Sequence, residues 1–216
     1  MTAMDLPTAA AAIVSAGRRL GARGLISAGE GNLSIRLDDG RLATTPSGRR
    51  KDELALDDIV AMPLGRGDQA ARSTSGLAPS SDLAIHLAVH GARPDVTAVA
   101  HAHLPASLAL TLAGEVPNPA ALPETALFIP RLPFLLFGTP GSEELAARIS
   151  SALVEPPEPF ADVVLLERHG AVAVGSTLDA AVDRLELVEV LCVAWRDSLL
   201  VRAARATLGP ERSPMD

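Results

Sequence analysis

Apolar residues recur every three or four positions in several stretches of the chain, which is the period of an amphipathic helix. Ser142 precedes one of these stretches, with Glu143 and Glu144 after it, and is expected to cap the helix that begins there. The pattern predicts helices within residues 7–20, 80–94, 105–114, 142–155 and 177–204. The last of them has an apolar stripe made of Leu178, Ala181, Val182, Leu185, Val188, Leu191 and Cys192.

Other stretches alternate apolar and polar residues, which is typical of strands. GNLSIRL and RLATTP are joined by Asp-Asp-Gly and predict a hairpin whose turn is relaxed by Gly40. Strands are also predicted in DIVAMPL, VTAVAHAH, ALFIP and PFLLFG, and DVVLLERHGAVAVG has the length of two strands or one bent strand. Mixed with the helices, these strands predict an α/β domain around a largely antiparallel sheet, not a nucleotide-binding βαβ array.

Length and composition favour one compact domain, because 216 residues of which 48% are hydrophobic can bury a full core. We expect a single domain over residues 1–216, with its core at about 8–205. The polar tail 206–216 is rich in helix breakers and is expected to be flexible. The small, polar residues 65–80 predict a mobile surface loop.

The charge distribution excludes two classes of partner. A net charge of -7, a pI near 5.2 and the lack of a long basic run argue against nucleic acid. No apolar segment reaches about 18 uncharged residues, and Asp5 stands where a signal peptide would carry positive charge. We therefore expect no membrane association and a cytoplasmic location. The single Cys192 predicts a buried thiol, not a disulfide.

His101 and His103 stand one residue apart at the end of an apolar strand pattern. Residues two apart in a strand share a face, so both imidazoles can point to one place. Two buried histidines without a partner would be costly, although a single histidine at a strand end is usually a packing residue. The pair therefore predicts half of a metal site of the kind that zinc occupies.

Further ligands must come from other parts of the chain. His169 again ends an apolar run, and Gly170 after it allows a sharp bend. Asp82 lies at a predicted helix start, where its carboxylate either reaches the metal or caps its own helix. A rival site within that helix consists of Asp82, His86 and His90, which are spaced four residues apart and share one face. We favour His86 as a hydrogen-bonded histidine behind the main site.

Three turns carry groups that suit an anion. AGEGNLSIR places glycines around Asn32, TTPSGRR contains Ser47 and Gly48, and PSSD puts Ser80 and Ser81 ahead of a helix. Hydroxyls and free backbone N–H groups at a helix start can bind a phosphate or a carboxylate. Each turn taken singly is equally typical of an ordinary loop.

Five segments in this order and spacing resemble the class II aldolase/adducin family: GNLSIR, TPSG, PSSDLAIH, AVAHAHLPAS and RHGAVAVGSTLDAA. The resemblance runs from about residue 8 to residue 195. It implies a three-layer α/β/α fold with a central, mostly antiparallel sheet, assembled as a homotetramer with active sites between subunits. It also implies that His101, His103 and His169 bind a divalent metal, zinc or alternatively manganese.

By the same resemblance, the substrate phosphate is held by Asn32, Ser47, Gly48, Ser80 and Ser81. Asp82 falls where the family's aldolases carry a glutamate that binds metal and acts as the acid/base, whereas the epimerases have aspartate there. The family's tyrosine acid is missing, since the chain has no tyrosine. We expect Glu124, in NPAALPETALFIP, to replace it as a catalytic acid/base.

These expectations lead to a metal-dependent lyase. A divalent ion on the oxygens of a ketose phosphate would stabilise the enediolate left by carbon-carbon cleavage. The sequence thus predicts an aldolase that releases dihydroxyacetone phosphate and an aldehyde from a phosphorylated ketose. The alternatives are a metal-dependent sugar-phosphate 4-epimerase or decarboxylase, and a non-enzymatic adducin-like interaction domain.

Overall fold

The computed structural model describes residues 4–64 and 72–208, and a seven-stranded sheet lies at the centre of this part of the chain. The strand order is β3-β2-β1-β4-β7-β6-β5. Neighbouring strands pair antiparallel except β5 and β6, which pair parallel. The strands are β1 (Asn32–Arg36), β2 (Arg41–Thr44), β3 (Val60–Pro63), β4 (Ala98–Ala102), β5 (Phe134–Leu135), β6 (Val163–Leu166) and β7 (Gly170–Gly175).

Six α-helices accompany the sheet in the described residues. The start of α5 is capped as predicted, because the Ser142 side chain accepts a hydrogen bond from the backbone N–H of Leu145. The helices are α1 (Leu6–Ala22), α2 (Leu83–Ala92), α3 (Pro105–Leu112), α4 (Pro123–Phe128), α5 (Glu143–Ala152) and α6 (Leu178–Leu208). None of the helices in these two ranges is long and apolar enough to cross a membrane.

The helices cover both faces of the sheet. Along β4, Ala98 and Ala100 pack in the core built with α1, α3 and α6, whereas Val99 packs in the core built with α2 and α5. The same alternation holds in β7, where Ala173 faces the α6 side and Val174 the other. The predicted three-layer α/β/α fold with a mostly antiparallel sheet is thereby confirmed.

The last helix packs on the sheet through the predicted stripe, all seven residues of which are buried. Small alanines of β4 and β7 lie beneath it, which lets the helix approach the strands closely. Cys192 is a buried free thiol, and burial raises its pKa to about 12. This cysteine is therefore part of the core, as expected, and is not a reactive group.

Two strand predictions differ from the structure. Residues 126–128 of ALFIP belong to α4, because Pro123 starts a helical turn and Thr125 Oγ1 donates a hydrogen bond to Pro119 O at 2.6 Å. A short apolar run does not by itself distinguish strand from helix. PFLLFG shortens to the two residues of β5, after which Leu136 is exposed.

Two predicted flexible regions lie partly outside the described residues. Of the loop predicted at 65–80, residues 65–71 are outside, and Pro79 forms an isolated bridge to Pro46. The tail predicted at 206–216 begins inside α6, which ends at Leu208, and residues 209–216 lie outside the described residues. The prediction of mobility for these regions stays a prediction.

Gly170 lies where the end of β4 and the start of β7 approach each other closely. It begins β7 with a φ of +81°, and a Cβ at this position would lie 2.1 Å from Ala102 O and 2.5 Å from His103 Cα. Residues other than glycine rarely adopt this φ. The atoms that a Cβ would meet here belong to the backbone and cannot move aside. The contact between the end of β4 and the start of β7 therefore requires glycine.

We predict that Gly170→Ala lowers the free energy of unfolding at least about twice as much as Gly40→Ala. Both glycines have a φ near +80°, so both alanines carry a conformational cost of about 1–2 kcal/mol. Only Gly170 has backbone atoms in the way, since nothing lies within 4 Å of a Cβ at Gly40. Urea denaturation of the two variants measures the difference, and equal losses would contradict the packing argument.

Candidate metal centre

Three histidines from two regions of the chain converge at one end of the sheet. His101 lies in β4, His103 directly follows that strand, and His169 lies in the turn between β6 and β7. Their potential ligand atoms all lie within 4.8 Å of one another, and their ring centroids are 4.8 to 5.2 Å apart. The antiparallel pairing of β4 with β7 brings the distant His169 beside the other two.

The orientation of His101 leaves one ring nitrogen without a proton. Its Nδ1 lies 3.0 Å from Ala171 O, an acceptor, so Nδ1 carries the hydrogen and Nε2 is the bare nitrogen of a neutral ring. That Nε2 is buried and has no hydrogen-bond partner among the described residues, and the same is true of His169 Nδ1. Buried ring nitrogens without a hydrogen-bond partner, in a group of three imidazoles, fit a divalent cation.

Glu30 orients the third histidine of this group. Its Oε2 lies 2.6 Å from His103 Nδ1, and its Oε1 accepts a hydrogen bond from Ser27 N. A carboxylate on one ring nitrogen fixes the tautomer and leaves the other nitrogen to bind metal. Sequence reasoning missed Glu30, because AGEGN has the composition of an exposed turn.

Burial favours the neutral form of His101 and His169. Desolvation lowers the pKa of His101 well below its usual value, and the neighbouring histidines lower it further. Desolvation is also the main cause of the lowered pKa of His169. The neutral ring is the form that binds metal, so burial favours the metal-binding form of these two histidines.

Backbone strain is concentrated around the same group. Within residues 4–64 and 72–208, the non-glycine residues with positive φ are Ala28 at 47°, Leu104 at 47° and Arg168 at 57°. Leu104 follows His103, Arg168 precedes His169, and Ala28 lies in the loop that carries Glu30. Such conformations cost about 1–3 kcal/mol each and are found mostly at functional sites.

A cavity of about 400 Å³ opens beside the histidines. All five residues predicted to bind substrate line it, and so do Asp82, His103 and His169. The full lining consists of Gly29, Glu30, Gly31, Asn32, Ser47, Gly48, Lys51, Ser80, Ser81, Asp82, His103, Pro140, Gly141, Arg168 and His169. The structure thus brings the predicted metal and substrate residues together, and their individual roles stay predictions.

Two serine-bearing loops are joined along one wall of this cavity. Ser47 N donates to Ala78 O at 2.9 Å, and Ser80 N donates to Thr45 O at 3.1 Å. Ser80 is buried, and its hydroxyl oxygen accepts a hydrogen bond from Asp82 N. These long-range hydrogen bonds place the predicted anion-binding turns side by side.

Lys51 brings a positive charge to this wall and was not found from the sequence. Only 2% of it is exposed, and its Nζ donates to Gly29 O at 2.6 Å and to Arg49 O at 2.7 Å. Desolvation lowers its pKa, while the charge of Asp82 raises it. In the sequence, Lys51 follows two arginines and precedes two acidic residues, so nothing distinguishes it from a solvated charge run.

Asp82 lies at the start of α2 but does not cap it, because its side chain makes no hydrogen bond to the helix end. Instead its Oδ2 accepts a hydrogen bond from Asn32 Nδ2 at 2.8 Å. Asp82 is outside the converging histidine group. Its predicted roles as metal ligand and as acid/base stay predictions.

The rival cluster on α2 is occupied by hydrogen bonds. His86 and His90 are buried on the same helix face as Asp82, as their spacing predicts, but both contact the Ser34 hydroxyl. In the described ranges, the ligand atoms that converge on a common point are those of His101, His103 and His169. His86 is thus a hydrogen-bonded histidine behind the site.

Glu124 is not brought to the cavity of its own chain. It is an exposed residue in the first turn of α4 and does not line the cavity. Its predicted role as an acid/base would require another copy of the chain, and it stays a prediction.

Comparison with known proteins connects this arrangement to enzymes of sugar-phosphate chemistry. The model of the family described as Class II Aldolase and Adducin N-terminal domain matches residues 11–195. A methylthioribulose-1-phosphate dehydratase of Methylococcus capsulatus is 40% identical over 107 residues, and this alignment spans 50% of either chain. A 3-oxo-tetronate 4-phosphate decarboxylase of Haemophilus influenzae is 30% identical over 82% of this chain and 81% of its own length.

The fold also matches solved structures. An L-fuculose-1-phosphate aldolase from Thermus thermophilus superposes with a TM-score of 0.76 at 29% identity. The match covers 94% of this chain and 97% of that one. The similarity therefore extends over nearly the whole of both chains.

We predict that His101→Ala and His103→Ala each lower zinc affinity more than about 100-fold, because even residues that only orient metal ligands contribute about 10- to 100-fold. His90→Gln serves as the matched control and should bind zinc with wild-type stoichiometry. Elemental analysis and chelator competition measure these changes. Loss of zinc in the His90 variant, with retention in the other two, would instead support the cluster on α2.

Proposed function

The chain belongs to the Class II Aldolase and Adducin N-terminal domain family, and we propose that it is a metal-dependent enzyme that cleaves a carbon-carbon bond in a phosphorylated keto sugar. One observation carries the proposal. Two groups line one cavity: His103 and His169 of the converging histidines, and the two serine loops with Lys51. A substrate with a keto group at one end and a phosphate at the other matches this division.

The phosphate end is assigned to the serine loops. The hydroxyls of Ser47 and Ser80 and the backbone of Gly48 offer donors, and Lys51 adds the charge that a phosphate dianion needs. The Lys51 ammonium also holds the carbonyls of Gly29 and Arg49, which fixes the loop on either side of it. Holding the phosphate would position the reacting carbons at the histidines.

The reacting end is assigned to the histidines. His101, His103 and His169 would hold a divalent cation, zinc or manganese, with Glu30 keeping His103 in its metal-binding tautomer. A bound cation would polarise the substrate carbonyl and stabilise an enediolate. Proton transfer is assigned to Asp82, whose Oδ1 is not used by Asn32 and lies on the side of Gly141, a cavity residue.

Aldol cleavage to dihydroxyacetone phosphate is the reaction predicted from the sequence, and decarboxylation is a second candidate. The cavity contains two carboxylates, but Glu30 is engaged by His103 and Ser27. Among the described residues of one chain, Asp82 is therefore the cavity carboxylate that is available for proton transfer. Loss of carbon dioxide needs only a proton donor, whereas aldol cleavage also needs a base. Glu124 of another subunit in a homotetramer would supply the second group.

A non-enzymatic adducin-like role is less well supported. Such a role requires no metal ligands, whereas three buried or half-buried imidazoles converge here on one point. Retaining unpaired buried nitrogens without a ligand would cost stability and gain nothing. Stoichiometric metal in the purified protein would separate the enzyme from the interaction domain.

We expect the zinc- or manganese-loaded protein to release either an aldehyde from a ketose 1-phosphate or carbon dioxide from a phosphorylated 3-keto acid. A panel of both substrate types, with detection of dihydroxyacetone phosphate, carbon dioxide and dehydrated product, identifies the reaction. Asp82→Asn is the inactive control. Loss of water without carbon-carbon cleavage would contradict the proposal and place the chain with the dehydratases.

We also predict that Lys51→Met raises KM for the phosphorylated substrate about 10- to 100-fold, because a charge-assisted hydrogen bond contributes about 1.5–3 kcal/mol. The control is Arg49→Met, which also removes one positive charge. Arg49 is two residues before Lys51, and its side chain is exposed and does not line the cavity. This control should change KM little. Steady-state kinetics measure both, and equal effects would show that only the general charge matters.

A further inference from the structure

Asp82 is the end of a buried chain of hydrogen bonds between the sheet and α2. Asn32 Nδ2 lies 2.8 Å from Asp82 Oδ2, and Asn32 Oδ1 lies 2.7 Å from His86 Nε2. His86 Nδ1 lies 2.7 Å from Ser34 Oγ, which lies 3.0 Å from His90 Nε2. All five residues are at most 8% exposed.

The carboxylate at one end determines the direction of every bond. An ionised carboxylate only accepts, so the amide nitrogen of Asn32 must face Asp82 and the amide oxygen must face His86. His86 Nε2 must then carry a hydrogen, because it meets an acceptor. In a neutral ring, this leaves His86 Nδ1 bare, where it accepts the hydrogen of the Ser34 hydroxyl.

The direction of donation is the same at the His90 end of the hydrogen-bond network. Once the Ser34 hydroxyl donates to His86, its oxygen can accept from His90 Nε2–H. His90 Nδ1 is then a bare nitrogen, and it is indeed buried without a hydrogen-bond partner among the described residues. Burial lowers the pKa of His86 to about 4 and that of His90 to about 3, which keeps both rings neutral.

We propose that His86 and Ser34 are positioning residues that hold the Asp82 side chain through Asn32, with Oδ2 bound to Asn32 and Oδ1 left for the reaction. The inference rests on the proposed function, because that function gives Asp82 the proton transfer. Each donor in the chain points toward Asp82, so the bonds polarise one another in the direction that stabilises its negative charge.

A purely structural role explains this network poorly. Beside this network the interface between α2 and the sheet contains an apolar part, with Ile85 and Val89 packed on Val99 and its neighbours, and a hydrogen bond from the Arg36 guanidinium to His90 O. Apolar residues would fill the same space without leaving a nitrogen of His90 unpaired, which costs free energy. Asn32 connects the network to the cavity, since it contacts both His86 and Asp82 and itself lines the cavity.

The tautomer of His86 can be measured without knowing the substrate. The chain has five histidines, so the side-chain nitrogen resonances of the zinc-loaded, ¹⁵N-histidine-labelled protein can be assigned by single substitutions. We expect His86 to be protonated at Nε2 and bare at Nδ1, and both signals to shift in Asp82→Asn, where the side chain can also donate. His86 protonated at Nδ1, or signals unaffected by Asp82→Asn, would overturn the proposal.

Kinetics with paired variants test the consequence for Asp82. His86→Gln keeps a donor for Asn32 and an acceptor for Ser34, whereas His86→Leu keeps neither. We expect His86→Leu to lower kcat about 10- to 100-fold with little change in KM, as for other residues that orient a catalytic group. His86→Gln should recover most of this loss, and zinc content should be unchanged in both.

Other outcomes have distinct meanings. Equal kcat in the Gln and Leu variants, with zinc retained, would show that the bonds of His86 do not act on Asp82. If His86→Leu does not fold, Ser34→Ala replaces it as the test, because it interrupts the same hydrogen bonds at a smaller residue. This variant should also lower kcat. If wild-type protein turns over no sugar phosphate, the proposed function fails, and the nitrogen resonances still decide the arrangement at Asp82.

Discussion

The register of the three central strands is the constraint on which the site depends. β4 lies between β1 and β7, with His101 opposite Asn32 on one side and Val172 on the other. Side chains alternate along a strand, so a shift by one residue would turn His101 toward α6 and bring an alanine into the site. The two cores prevent this shift, because alanines of β4 and β7 fit beneath α6 whereas their valines fill the opposite core.

Much of this architecture could be predicted from the sequence, because it depends on periodicity. The apolar period located α1, α2, α3, α5 and α6, and the alternation with Asp-Asp-Gly located the hairpin of β1 and β2. The prediction was wrong at residues 126–128 and too long after Leu135. Both are short apolar runs beside prolines, where the surrounding contacts decide between helix, strand and loop.

The site was predictable where one local rule was sufficient. His101 and His103 could be paired because strand geometry relates residues two apart, and Gly170 indicated the bend at His169. Glu30 and Lys51 were missed because their turns appear exposed. Glu30 gains its partner His103 only when its loop meets the end of β4, and Lys51 contacts Gly29 O only when the two loops meet. Asp82 is the intermediate case, since its position at a helix start suggested a cap, whereas the actual partner, Asn32, is 50 residues away.

The amide of Asn32 has a further consequence for Asp82. Imidazoles and hydroxyls can pass a proton along a hydrogen-bonded wire, since each can take one on one side and release one on the other. A carboxamide at ordinary pH does neither, so the path from His90 through Ser34 and His86 is interrupted one residue before the carboxylate. The buried residues behind Asn32 thus orient Asp82 but cannot exchange protons with it. Every proton that Asp82 gains or loses must come from or go to the contents of the cavity.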